Sequence, residues 1–252
     1  MEGTGTSTKT TPTVTKAIFE SPHLPVHEKS IRRIFDEIEV VIGAGTETTG
    51  HTLTLITYHV LSNSRILRAL KQELEKAASE HNVSQDEYLD FNIIESLPYL
   101  QAVMKETLRH ETAVPGRLPR RHPTAAQTYT SPSNKVYLLP PGTTMSVSIR
   151  DVHLNGDIFP SPHEFLPERW LTSDAQEMAR MNKYMLAFGK GVRSCLGMEL
   201  AKQEILLTAG NLFWKYDMEL YETSAMDVAF VHDFFAAFPP REREGLKVRV
   251  KM

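Results

Sequence analysis

The one cysteine of the chain, Cys195, sits in the segment FGKGVRSCLG, residues 188–197, among Gly189, Gly191 and Gly197 and two residues after Arg193. Each of these residue types has a chemical use. A thiol just ahead of a helical segment faces that helix's free N–H groups, which favour the anionic sulfur that acts as a metal ligand. Glycines have no Cβ and accept positive φ, so the backbone can turn tightly and approach a flat partner. Arg193 offers a fixed cation to an anionic group above the loop, and N–H groups around the sulfur would tune its electron donation. A second constellation is GAGTETTG, residues 43–50, where an acid, Glu47, adjoins an alcohol, Thr48, a pair able to relay a proton. A third is Glu106-Thr-Leu-Arg109, an i, i+3 pair on one helix face, with a further arginine, Arg169, in Pro167-Glu168-Arg169-Trp170.

The elements that must carry these residues are mostly helical. Ile31, Ile34, Phe35, Ile38, Val41 and Ile42 fall on one stripe that must face a core, and apolar spacing resumes at Leu53, Ile56 and Val60. Residues 43–50, between the two stretches, hold three glycines, each costing about 1 kcal/mol in a helix interior. Three threonines add to the conflict, so a kinked or interrupted helix is expected there. Residues 64–79 and 98–110 read as amphipathic helices, the latter opened by Pro98 at an N1-like position. Beyond them the texture turns to Pro, Gly and Thr. Residues 135–139 and 144–149 are expected to pair as a small hairpin about the turn at Pro140-Pro141-Gly142. A helix over 196–214 follows the Cys195 loop, and a short strand is expected at 246–250. The class is mainly α, an α+β arrangement with small sheets rather than alternating βαβ units.

The signature F-G-x-G-x-R-x-C-x-G resembles the haem-binding loop of the cytochromes P-450, the haem-thiolate monooxygenases, and all six fixed positions match. Chance would supply such a match in a chain of this length on the order of a few times in a million. The resemblance implies the later half of that fold and haem as cofactor. Cys195 would be the axial iron ligand, and Phe188, Gly189, Gly191, Arg193 and Gly197 would shape the haem loop. It also implies that Glu47 and Thr48 are the acid and alcohol of the central helix over the haem, managing proton delivery in dioxygen activation. Glu106, Arg109 and Arg169 would form a structural network that fixes the Cys loop, with Trp170 standing where phenylalanine is usual. The same E-x-x-R spelling recurs at Glu177 to Arg180, but only the first copy lies on an apolar-striped helix followed by a proline-rich loop. In AVPGRLPRR, residues 113–121, the spacing makes Arg120 the expected haem-propionate partner and Arg117 the alternative. Val114, Leu118, Phe234 and Phe235 would border substrate, with ordinary core packing the competing reading. Arg180, Lys183, Lys190 and Lys202 would give a basic face toward an acidic electron donor.

The resemblance implies insertion of one oxygen atom from O2 into a lipophilic small molecule. The electrons would come from NADPH through a flavoprotein reductase. The style of the motifs is similar to fungal enzymes of terpenoid or polyketide pathways. The alternatives are a truncated, inactive fragment or interaction module, since family members run to roughly twice this length, and a helical binding protein without haem. Composition narrows the field independently. The 252 residues carry a net charge of −3 with no basic stripe, which argues against a nucleic-acid binder. A lone cysteine excludes an internal disulfide and a Cys-rich zinc or iron–sulfur site. No run approaches the ~18 apolar residues of a spanning helix, so this chain is expected to lack a transmembrane anchor and to be cytoplasmic by itself. Family members, by resemblance, sit on the cytosolic face of the endoplasmic reticulum. The Thr-rich residues 1–16 are expected to be a disordered leader, and 17–252 a partial cytochrome P-450 domain.

Overall fold

Helix α1 (Val14–Glu20) begins where the Thr13 hydroxyl accepts the Lys16 N–H, a side-chain N-cap. The structure, a computed structural model, describes residues 13–251. The expected leader therefore lies outside the described residues over 1–12, while its last residues, 14–16, belong to the first turn of α1. A short 3-10 turn (Val26–Lys29) leads to α2 (Ile31–Ser62). The chain divides into two compact units after Glu47.

Helix α2 corrects one expectation. Residues 43–50 are all helical, so helical hydrogen bonding is not interrupted there. Along α2 several threonine hydroxyls turn back onto the helix's own carbonyls. Thr46 donates to Ile42 O at 2.8 Å, Thr52 to Thr48 O at 2.8 Å, Thr54 to Gly50 O at 2.9 Å and Thr57 to Leu53 O at 2.8 Å. Only Thr46 of these lies within 43–50, and Thr49 Oγ1 there is buried without a partner, so the reason is cooperativity: a helix nucleated on either side propagates through poor helix formers. A second correction concerns the stripe before residue 43. Ile34 is buried and Ile38 half-buried, but Ile31, Phe35, Val41 and Ile42 are exposed. An apolar stripe states what a helix face would gain by being covered, not what covers it.

The second unit holds the core. Helix α3 (Ser64–Glu80) is capped by the Asn63 side chain and buries Ile66, Leu70, Leu74 and Ala77, one face at helical spacing. After α4 (Phe91–Ile94), helix α5 (Pro98–His110) begins with proline at N1 as the sequence predicts. Its free N-terminal N–H groups are met from α3. The Glu73 carboxylate accepts Tyr99 N at 2.7 Å and Leu100 N at 2.9 Å. Helix α6 (Ile149–His153), a 3-10 turn over Pro167–Leu171, and α7 (Ala175–Tyr184) follow. Helix α8 (Met198–Lys215) then packs Ile205, Leu206, Ala209 and Phe213 into the core shared with α3 and α5. Gly210 permits that approach: a Cβ there would lie 3.1 Å from both Ile94 Cδ1 and Leu100 Cδ2.

Among the described residues there are four two-stranded antiparallel sheets: β1 (Arg120–Arg121) with β4 (Thr144–Met145), β2 (Gln127–Thr130) with β3 (Val136–Leu139), β5 (Asp217–Leu220) with β8 (Val248–Lys251), and β6 (His232–Phe234) with β7 (Ala236–Phe238). The expected hairpin about Pro140 is therefore not formed. β3 turns back onto β2 through Ser131–Lys135, where Asn134 takes φ 60°, while Gly142 N–H donates to His122 O at 2.8 Å. Pro140 and Pro141 carry no N–H for a ladder, and asparagine is the residue that tolerates the left-handed turn.

Candidate functional site

The Cys195 loop is built by three backbone hydrogen bonds. Gly189 N–H donates to Leu186 O at 2.8 Å, Ser194 N–H to Gly191 O at 3.0 Å, and Cys195 N–H back to Phe188 O at 2.8 Å. Between them runs a 3-10 turn, Gly191–Arg193, and Gly197 forms the N-cap of α8. Gly189 and Gly191 hold φ of 67° and 76°. At Gly189 a Cβ would meet Arg193 O only at 3.7 Å, so the demand for glycine is conformational rather than spatial. Cys195 is exposed, as are Arg193 and the apolar side chains of Val192 and Leu196 on the same loop. Phe188 is half-buried, with Lys202 Nζ 6.0 Å above its ring. A soft sulfur donor on a tight glycine turn, flanked by exposed apolar side chains, is a donor set and surface that fits iron in a flat, apolar macrocycle.

Behind the loop lies a buried ionic network. Glu106 and Arg109 have no solvent exposure, and their contact is bidentate: Arg109 Nε donates to Glu106 Oε2 at 2.9 Å and Nη2 to Oε1 at 2.7 Å. Arg169 Nε donates to the same Oε1 at 3.1 Å, and Leu166 N–H reaches it at 2.9 Å. The structure thus brings Glu106, Arg109 and Arg169 together. Arg109 spends its remaining N–H groups on three carbonyls: His153 and Pro162 at 2.9 and 2.8 Å, and Glu164 at 3.2 Å. Burial pushes the Glu106 carboxyl up. The hydrogen bonds and charges of Arg109, with Leu166 N–H and Arg169, outweigh it and hold the group below the usual carboxylate range.

Two participants were not legible in the sequence. Trp170 Nε1 donates to Glu106 Oε2 at 2.9 Å, so the indole completes the carboxylate's shell, which phenylalanine could not do. The fully buried His153 joins the network to the Cys loop: Leu186 N–H donates to its Nε2 at 2.9 Å, and its Nδ1 lies 3.3 Å from the Thr112 hydroxyl. Nε2 accepts, so the neutral ring carries its hydrogen on Nδ1. Burial, then the Arg109 charge, lowers the His153 pKa to about 4. The signal for Trp170 was its N–H. His153 had none, because its partners, at 109–112 and at 186, lie far from it in sequence.

The other expected residues fall as follows. Glu47 is exposed on α2 and Thr48 is half-buried one residue on. Arg120 pairs with Met145 in β1 and β4, exposed, with its guanidinium donating to Pro119 O at 3.0 Å, and Arg117 is also exposed. Ala237 N–H donates to Ala113 O at 3.0 Å, which seats the β6–β7 hairpin on the loop that carries Val114 and Leu118. In that hairpin Phe234 and Phe235 are exposed, and Phe235 takes a φ of 76°. Of the expected basic face, Lys190 folds back onto the Asn182 and Lys183 carbonyls of α7, Lys202 pairs with Glu199 at 2.8 Å, and Arg180 donates to Asp157 O. A cleft of about 740 Å3 opens beside the loop, lined by Phe188, Ser194, Lys105, Lys190, Lys202 and Leu206.

An exposed cysteine on a glycine turn, backed by a buried Glu–Arg–Arg network, is the architecture of a haem-thiolate protein. The chain belongs to the cytochrome P450 family, whose model matches residues 17–240. It is 38% identical over 230 residues to a cytochrome P450 monooxygenase of Ascocoryne sarcoides, covering 90% of this chain and 43% of that protein. It is 36% identical over 233 residues to the N-acetyltryptophan 6-hydroxylase of Emericella nidulans, covering 92% and 44%. Among solved structures it is similar to the retinoic acid bound cyanobacterial CYP120A1, with a TM-score of 0.72 and 26% identity, over 88% of this chain and 46% of the other. The chain spans less than half the length of these proteins. Among the described residues no helix is long and apolar enough to cross a membrane.

Proposed function

We propose that the chain carries the thiolate side of a haem-dependent monooxygenase that inserts one oxygen atom from O2 into a lipophilic small molecule. The observation that carries this reading is Cys195, exposed on its two-glycine turn and tied by its own N–H to Phe188 O. Haem, when bound to that sulfur, supplies the reduction of dioxygen and the transfer of one oxygen atom. Phe188, Gly189, Gly191 and Gly197 shape the loop, and the cations of Arg193 and Arg120 are available to the cofactor's carboxylates. Thr48 holds a proton in a hydrogen bond and Glu47 relays it from solvent, a role in keeping with the exposure of Glu47 on α2. Glu106, Arg109 and Arg169 position the loop and take no part in proton transfer. Electrons come from NADPH through a flavoprotein reductase, an assignment that rests on the family, since Glu95 and Glu199 line the cleft beside the loop together with Lys105, Lys190 and Lys202. The resemblance of the motifs to fungal enzymes of secondary metabolism carries the assignment to a terpenoid or polyketide pathway, while the one fungal relative cited above whose name states a substrate is an N-acetyltryptophan hydroxylase.

The test is haem uptake by the full chain, followed by the spectrum of the reduced, carbon-monoxide-bound form. A thiolate-type Soret band that is lost in Cys195→Ser supports the assignment. A chain that takes up no haem, or binds it equally well in Cys195→Ser, overturns it.

A further inference from the structure

Three ligating side chains outside the haem-loop network converge in the second unit. Glu111, the C-cap of α5, sets its Oε1 2.8 Å from His110 Nδ1 and 3.3 Å from His59 Nε2, on the last turn of α2. All three donor atoms lie within 4.8 Å of one another. None of the three bonds to Glu106.

The rings are already oriented. His110 Nε2 donates to His163 O at 2.9 Å, so that nitrogen keeps its hydrogen and Nδ1 is the nitrogen left for a ligand role. A backbone carbonyl on the far nitrogen is the usual outer support of a metal-bound histidine. His59 is fixed by stacking on Phe165, with ring centroids 4.1 Å apart and planes within 4°. The three side chains retain 14–18% exposure, enough for an ion to enter and a water to complete its shell.

We propose that His59, His110 and Glu111 form a binding site for a divalent transition-metal ion, with water as fourth ligand. Two imidazole nitrogens and one carboxylate oxygen suit Zn2+ better than Mg2+ or Ca2+, which prefer all-oxygen shells. A tetrahedral ion with bonds of 2.0–2.2 Å separates its ligands by about 3.3–3.5 Å. The His59–Glu111 distance already has that value, and the His110–Glu111 distance reaches it by a small rotation of the carboxylate. A histidine ligates through a nitrogen that carries no hydrogen, so binding weakens in acid. Occupied, the site ties the end of α2 to the end of α5 beside the loop of Phe165.

The test uses the tag-free full chain, titrated with Zn2+ and separately loaded with Co2+ for visible spectroscopy. Cys195→Ser is run in parallel, because a thiol is the chain's other soft donor. One equivalent of Zn2+ and a four-coordinate Co2+ spectrum without sulfur charge transfer are expected in both. Affinity should fall by about 100-fold or more in Glu111→Gln and in His59→Phe, beyond the 10–100-fold typical of losing an outer partner. His59→Phe keeps an aromatic ring on Phe165, and circular dichroism checks that both variants fold. Absence of stoichiometric binding overturns the proposal. So does affinity unchanged in both ligand variants, or binding lost in Cys195→Ser. Should a variant unfold, the Zn2+ stoichiometry and Co2+ spectrum of the Cys195→Ser chain still decide.

Discussion

The chain spells Glu-x-x-Arg twice on helices, at Glu106–Arg109 on α5 and at Glu177–Arg180 on α7, and the two copies have opposite fates. On α5 both side chains are fully buried and joined by two hydrogen bonds. On α7 they part: Glu177 accepts from the Thr172 hydroxyl at 3.1 Å, and the exposed Arg180 donates to Asp157 O. Local spacing is identical, so it cannot be the cause. What differs is the face. α5 presents its pair to the Pro167–Leu171 turn, which supplies Arg169 and Trp170, whereas α7 buries Met181 and leaves its pair at the rim. A buried carboxylate needs every lone pair answered, and only the first copy has enough donors around it.

The largest test of this contrast is Glu106→Ala, which leaves two arginines buried without their anion. The expected loss is about 3–5 kcal/mol of unfolding free energy, measured by urea denaturation. A loss near zero would mean that the network is decorative. Next in size is the link from Arg109 through His153 to the Cys loop. Its folded pKa, about 4, lies below the ordinary histidine value of 6.5, so the unfolded state binds the proton first. The contribution is therefore complete above pH 6.5 and is lost progressively on acidification toward pH 4, up to about 3 kcal/mol. Comparing urea unfolding of the wild type with His153→Gln across that window isolates it, since glutamine does not titrate; parallel profiles would remove the assigned role. Smallest is Glu177→Ala, expected to cost less than about 1 kcal/mol in the same assay. A cost matching that of Glu106→Ala would erase the distinction between the two copies.

Much of the helical frame was legible in the residues alone. α3 and α5 stand within a residue of their expected bounds, because Asn63, Pro98 and the four-residue apolar spacing are local signals. The network behind the Cys loop was legible as a set of residues, yet its completeness was not. Trp170 read as a stand-in for another aromatic, and only the folded turn shows its N–H on Glu106. Strand pairing failed for the same reason: residues 135–139 carried a strand signal, but nothing local names β2 rather than the segment after Gly142 as partner. The glycines and threonines of 43–50 read as a break because propensity is counted residue by residue, whereas a helix already formed on either side extends through poor formers.

By itself the sequence determined which chemistry the chain can hold: a single thiol on a glycine turn, an acid beside an alcohol, and an acid–arginine pair on one helix face. Those depend on residue type and short spacing, which survive without a fold. Tertiary structure alone decided that Trp170 completes the Glu106 shell, that His153 carries the network to Leu186, and that His59 meets His110 and Glu111 from 51 and 52 positions away. These are contacts between distant segments, and their energies depend on burial and on the number of donors that arrive together, quantities that no local pattern encodes.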